Sequence, residues 1–145
     1  MDFNRLIGWL LRSPLHRLIS GSTVVLGIKG VKSGRQYNIP VSFVEVQALQ
    51  PRRLLVTSHR DRTWWRNLRE KVEIQLTFHG KTGRASAQVM ESIEDVAESF
   101  KLYFQVSPAS ARFFKIELGS EGRVKDEDLL RLARERVVIF VEPAF

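Results

Sequence analysis

Apolar and polar positions alternate with two different periods along this chain, and the change of period divides it. Phe3, Leu6, Ile7, Leu10 and Leu11 recur at helical spacing. Ser13 followed by Pro14 reads as an N-cap with a first-turn proline. The segment 2–20 is therefore expected as short helices packed on the rest of the protein. From Ser22 onward β-branched residues predominate. Residues 22–29 (STVVLGIK) predict a strand, 30–34 a turn, 35–46 a long second strand and 53–57 a third. Pro40 cannot donate a ladder hydrogen bond, so the second strand must bulge there or lie at an edge. Residues 62–71 look helical. Residues 72–78 and 84–90 flank His79-Gly80-Lys81-Thr82-Gly83 and predict a hairpin. Val96, Phe100 and Phe104 mark a helix over 91–105, and 108–115 a further short one. A turn at 119–122 precedes a helix over 126–134, acidic at its start and basic at its end. The apolar run 137–141 (VVIFV) predicts a buried last strand.

Short connections join most neighbouring strands, which favours antiparallel pairing. Six strands closing on themselves with helices outside make a small barrel, a mainly β architecture with flanking helices. A doubly wound sheet would need strands alternating regularly with crossover helices, and that order is absent. The 145 residues fit one domain, 1–145, with no internal repeat or low-complexity linker.

Composition narrows the chemistry. The absence of cysteine excludes disulfides, thiolate metal sites, iron–sulfur clusters and cysteine nucleophiles, and fits a cytoplasmic location. His16, His59 and His79 lack metal-ligand spacing, so no metal site is expected. The formal net charge is +7, which favours anionic partners such as phosphates and polycarboxylates. No nucleic-acid motif is present, and no nucleic-acid partner is expected. No apolar run is long enough to span a bilayer. Trp9 and its apolar neighbours leave peripheral membrane contact as a minor reading.

Two stretches carry candidate chemistry. In 30–41 (GVKSGRQYNIPV), Lys32 and Arg35 supply charge, Ser33 a hydroxyl, and the turn at Gly34 backbone N–H groups. That set suits a phosphate or another oxyanion, although Lys-Ser-Gly-Arg is also an ordinary solvated turn. In 57–68 (TSHRDRTWWRNL), the chain leaves a strand and enters a helix that Asp61 or Thr63 can cap. His59, Arg60 and Arg62 lie beside its N-terminus, making a second candidate anion site. Trp64 and Trp65 cannot both point the same way, so one is expected in the core.

With these residues the chain resembles the deazaflavin-dependent nitroreductase and quinone reductase family, whose fold is the FMN-binding type of six-stranded antiparallel split β-barrel. The likeness rests on Gly30-Val31-Lys32-Ser33-Gly34-Arg35, Pro40-Val41, Thr57-Ser58, Trp64 or Trp65, and Asn67-Leu68, and spans residues 24–89. The resemblance implies that Lys32, Ser33, Gly34 and Arg35 hold a coenzyme phosphate and that Asn38, Pro40 and Val41 lie along its ring. Thr57, Ser58 and His59 would contact the ring or side chain, with Trp65 and Asn67 closing the site. Ser58 and His59 become candidates to orient the ring or relay a proton. The implied coenzyme is deazaflavin F-420, with FMN as the alternative. The implied reaction is hydride transfer to a quinone, nitro or enone acceptor. A flavin-binding protein without turnover is the rival, and a homodimer is open. Nitroreductases of the family tend to carry tyrosines in a late segment. The corresponding 109–116 holds Phe113 and Phe114, which suggests an apolar pocket for a planar acceptor.

Overall fold

The computed structural model describes residues 23–46 and 53–145. The expected helical segment 2–20 lies outside them. Six strands form the barrel: β1 (Thr23–Lys29), β2 (Gln36–Val46), β3 (Arg53–His59), β4 (Val72–Phe78), β5 (Lys81–Met90) and β6 (Arg136–Pro143). They close in the order β1-β2-β3-β6-β5-β4, every pair antiparallel. Among the described residues two α-helices lie outside it, α1 (Ile93–Val106) and α2 (Asp126–Glu135). The chain thus folds as a six-stranded antiparallel barrel with flanking helices.

The period-two pattern explains the two cores. Successive strand residues face opposite sides, so one set enters the barrel and the other meets the helices. Val24, Leu26 and Ile28 of β1, Leu54 and Val56 of β3, and Val137, Ile139 and Val141 of β6 fill the interior. Trp65 and Leu68 join them from the β3–β4 connection. The outward set (Val44, Val46, Leu55 and Val138) packs on Phe100 and Phe104 of α1 and Leu129 and Leu132 of α2. The wall between is buried on both sides, which is why β3 and β6 read as nearly continuous apolar runs.

Helix starts follow their sequence signals. Ser92 caps α1, its hydroxyl accepting the Asp95 N–H at 3.1 Å. Helix α2 begins with Asp126, Glu127 and Asp128 and carries Arg134 in its last turn, complementing the helix dipole.

Several boundaries differ from expectation. The helix expected over 62–71 is a five-residue 3₁₀ helix, Trp64–Leu68, and Thr63 at its N-cap position makes no side-chain cap. One turn this short gathers less dipole than the expected helix would offer an anion at its N-terminus. Strand β3 continues through Ser58 and His59, because both pair with β6. The β4–β5 turn tightens to His79 and Gly80, at φ 51° and 77°. Two left-handed residues match the twist of a two-residue hairpin. Pro40 sits in an unbroken β1–β2 register opposite Val25, so no bulge is needed. The β2–β3 ladder runs only from Val46↔Arg53 to Phe43↔Val56. Pro40 therefore lies where β2 has a neighbour on one side alone, the edge position that proline tolerates.

Candidate functional site

Two short seams shape one end of the barrel, where β1, β3 and β5 end and β2, β4 and β6 begin. Strands β2 and β3 part beyond Phe43↔Val56, so residues 36–42 pair only with β1 and 57–59 only with β6. Strands β1 and β4 pair only from Val25↔Thr77 to Gly27↔Gln75 and part below it. The β1–β2 loop stands between the two openings.

That loop is built by its own backbone. Gly30 N–H donates to Arg35 O at 2.8 Å, and Gly34 N–H donates to Gly30 O at 2.9 Å. Gly34 has φ 70°, a left-handed conformation that a Cβ would strain. Ser33 Oγ accepts the Arg35 N–H at 3.2 Å and lies 3.4 Å from the Tyr37 hydroxyl. A further bond ties the loop to the 3₁₀ helix: Val31 N–H donates to Asn67 Oδ1 at 2.9 Å. Asn67 Nδ2 in turn donates to Trp64 O at 3.0 Å. The two stretches singled out by sequence thus meet through one side chain. Lys32 and Arg35 are exposed, and their side chains have no ion pair or hydrogen bond among the described residues.

A cavity of about 340 Å³ opens where β1 and β4 part, lined by Ile28, Lys29, Val31, Asn67, Glu73 and Ile74 among others. Gly34 also borders it. Its size falls at the low end for small-molecule sites. Val72, Glu73 and Ile74 were missed by sequence reasoning, because they read as ordinary strand residues. The other expected residues lie elsewhere at this end. Asn38, Pro40 and Val41 are half-buried along the free stretch of β2. Thr57, Ser58 and His59 sit across the β2–β3 opening, paired with Val138, Val137 and Arg136 of β6.

The polar groups of β3 are partly committed. Ser58 is 6% exposed and donates its hydroxyl to His59 O at 3.1 Å. His59 Nε2 lies 3.3 Å from an Arg136 guanidinium nitrogen. A guanidinium has no acceptor, so a hydrogen bond here needs Nε2 as the acceptor and leaves Nδ1 as the ring's donor. Arg60, expected beside an anion, is consumed structurally: it donates to Ala133 O at 2.9 Å and to Glu91 O at 2.6 Å. Arg69 forms a two-pronged pair with Glu91, at 2.9 and 3.1 Å.

Of the two tryptophans, Trp65 enters the core, 3% exposed, while Trp64 is half-buried against it. The indole N–H of Trp65 is buried without an acceptor among the described residues. Such a group costs about 1–3 kcal/mol and is rare in folded proteins. Phe114 is not a free pocket wall. It packs edge-on against Phe100, Tyr103 and Phe104, with centroids 5.3–5.7 Å apart. Phe113 is 88% exposed. No helix among the described residues is long and apolar enough to cross a membrane.

The residues present fit a phosphate-bearing planar coenzyme in three respects: two cations that no described residue engages, on a loop with a left-handed glycine; strand edges that have parted; and a buried indole donor without a described acceptor, on the 3₁₀ helix that Asn67 ties to that loop. No family model and no curated protein matches the chain. Solved structures do. A domain-swapped dimer shares 17% identity at a TM-score of 0.51, with 94% of this chain and 91% of that one covered. A putative 5-nitroimidazole antibiotic resistance protein from Bacteroides thetaiotaomicron shares 12% identity at a TM-score of 0.50, covering 99% of this chain and 81% of that one. An F420-H2-dependent reductase aligns at 16% identity and a TM-score of 0.46, covering 83% of this chain and 94% of that one. At these identities the likeness is one of architecture, and the chain shares the split-barrel fold of the first two proteins.

Proposed function

We propose that this protein is an oxidoreductase that binds a flavin-type coenzyme, deazaflavin F-420 or alternatively FMN, and passes hydride to a planar acceptor of the quinone, nitro or enone class. The observation that carries the reading is the Val31–Asn67 hydrogen bond, which joins the two resemblance motifs across 36 residues of sequence. In this reading Lys32 and Arg35 hold the phosphate, with the Ser33–Gly34 turn offering its backbone. Asn38, Pro40 and Val41 line the ring on β2, and Thr57, Ser58 and His59 border it at the end of β3. Trp65 supplies its unpaired N–H to a ring acceptor, and Asn67 holds the loop closed. The coenzyme, when bound, supplies the hydride. The protein contributes binding, orientation and exclusion of water.

The committed hydroxyl of Ser58 suits it to accepting a hydrogen bond from the ligand. His59, with its proton on Nδ1, is the better placed of the two to donate one. The fold shared with the nitroimidazole-resistance protein and with a domain-swapped dimer supports nitro compounds among the acceptors and a homodimer as the assembly. Steady-state assays with reduced deazaflavin coenzyme should show turnover of a panel of flat quinones or of a panel of nitro compounds. Tight coenzyme binding with no turnover of either panel would instead establish a binding protein without catalysis.

A further inference from the structure

Arg136 is the first residue of β6, and it opens the strand where an apolar residue would be expected on the helix-facing side. Its guanidinium lies 4.8 Å over the Phe114 ring and 3.3 Å from His59 Nε2. The acids near it are not its partners. Glu135, its chain neighbour, approaches Arg131 at 3.6 Å, as Asp128 does at 3.9 Å. No carboxylate among the described residues lies within 4.0 Å of Arg136. Burial pushes its guanidinium below the ordinary range, and the charge of Glu135 opposes that only in part. A half-buried cation held by an imidazole and a phenyl face retains N–H donors that no described residue engages.

We infer that Arg136 and His59 form a second anion-binding site, at the end of β3 and β6, for a planar oxyanion of the carboxylate class. The guanidinium carbon lies over the Phe114 ring, and one terminal nitrogen is used by His59. The remaining edge offers the parallel N–H pair that matches a carboxylate. His59 adds its Nδ1–H donor on the adjoining strand, at the register position opposite Arg136. Phe114 is held by three ring contacts, so the aromatic face under the guanidinium is in place before a ligand arrives. The site shares His59 with the residues proposed to border the coenzyme, whereas Lys32 and Arg35 of the β1–β2 loop form no part of it.

The test is an NMR titration of the full chain with sodium benzoate, at ionic strength kept constant with chloride, and with neutral benzamide as the ring-matched control. Benzoate should shift the Arg136 Nε–H and His59 ring signals saturably, and benzamide should not. Arg136→Met should weaken the response by about tenfold or more. Arg136→Lys, which keeps the charge and the stem but loses the fork, should weaken it less. If Arg136→Met does not fold, the Lys variant decides. The double variant Lys32→Ala/Arg35→Ala should leave the response intact. The inference is overturned if benzoate gives no saturable shift or if benzamide acts equally. It also falls if affinity is unchanged in the folded Arg136 variants, which would leave Arg136 as a staple between β6 and Phe114.

Discussion

Asn67 accepts from Val31 N–H and donates to Trp64 O, so one amide fixes both the loop and the 3₁₀ helix. Asn67→Ala should lower stability by about 0.5–1.5 kcal/mol, because the bond to Trp64 is lost while the exposed Val31 N–H passes to water. Asn67→Asp keeps the acceptor for Val31 but loses the donor to Trp64, so a urea midpoint between wild type and Asn67→Ala is expected. Tyr103 gives a different signal. Burial raises its phenol above the ordinary value of 10.0, while the charge of Arg136 pulls it down. A raised pKa in the folded state means that folding favours the neutral phenol. That stability is fully present below pH 10.0 and is lost as pH rises through the folded value. Tyr103→Phe should remove this part of the alkaline decline, seen as a flatter loss of urea midpoint above pH 10.0 than in wild type. Residues of these two kinds differ in legibility. Lys32, Ser33 and Arg35 stand out as a charged turn in the chain itself. Arg136 does not, because its contact with His59 spans 77 residues and exists only through the β3–β6 register.

At the level of elements, the strands were the most legible part, since alternation of period two names their inward and outward faces. The connection after β3 was less so. Trp65 and Leu68 are three apart, a spacing that an α-helix and a 3₁₀ helix both satisfy, so the apolar pattern does not separate them. Polar residues at 57–59 hid the end of β3, whose extension depends on backbone pairing with β6 rather than on side chains. The short helix matters despite its length, because Leu68 is fully buried in the barrel core. Leu68→Ala should cost about 2–5 kcal/mol, measured by denaturant unfolding. The β4–β5 turn is a local device. Gly80→Ala should cost about 1–2 kcal/mol, since its φ of 77° places a Cβ against the next carbonyl. A smaller or absent loss would mean that the turn rearranges.

Across the whole molecule, a wall of β2, β3 and β6 is packed on both faces, one filling the barrel and one meeting α1 and α2. The barrel closes through seams of unequal length: seven pairs join β4 to β5, but three join β1 to β4 and four join β2 to β3. The free strand edges and the cavity all lie at the end that carries the β1–β2 loop. Strand count and antiparallel order were readable from pattern, whereas seam length was not, because it depends on how far facing strands diverge in space. With a formal charge of +7, the molecule as a whole also attracts an anionic coenzyme. The measurement that bears most directly on the account is a fluorescence titration of the apo protein with deazaflavin F-420, FMN and haem, repeated on Arg35→Ala. The account predicts saturable binding of F-420 or FMN, none of comparable strength for haem, and about tenfold or more weaker flavin affinity in the variant. Failure of both flavin coenzymes to bind, or an Arg35→Ala affinity equal to that of wild type, would contradict it.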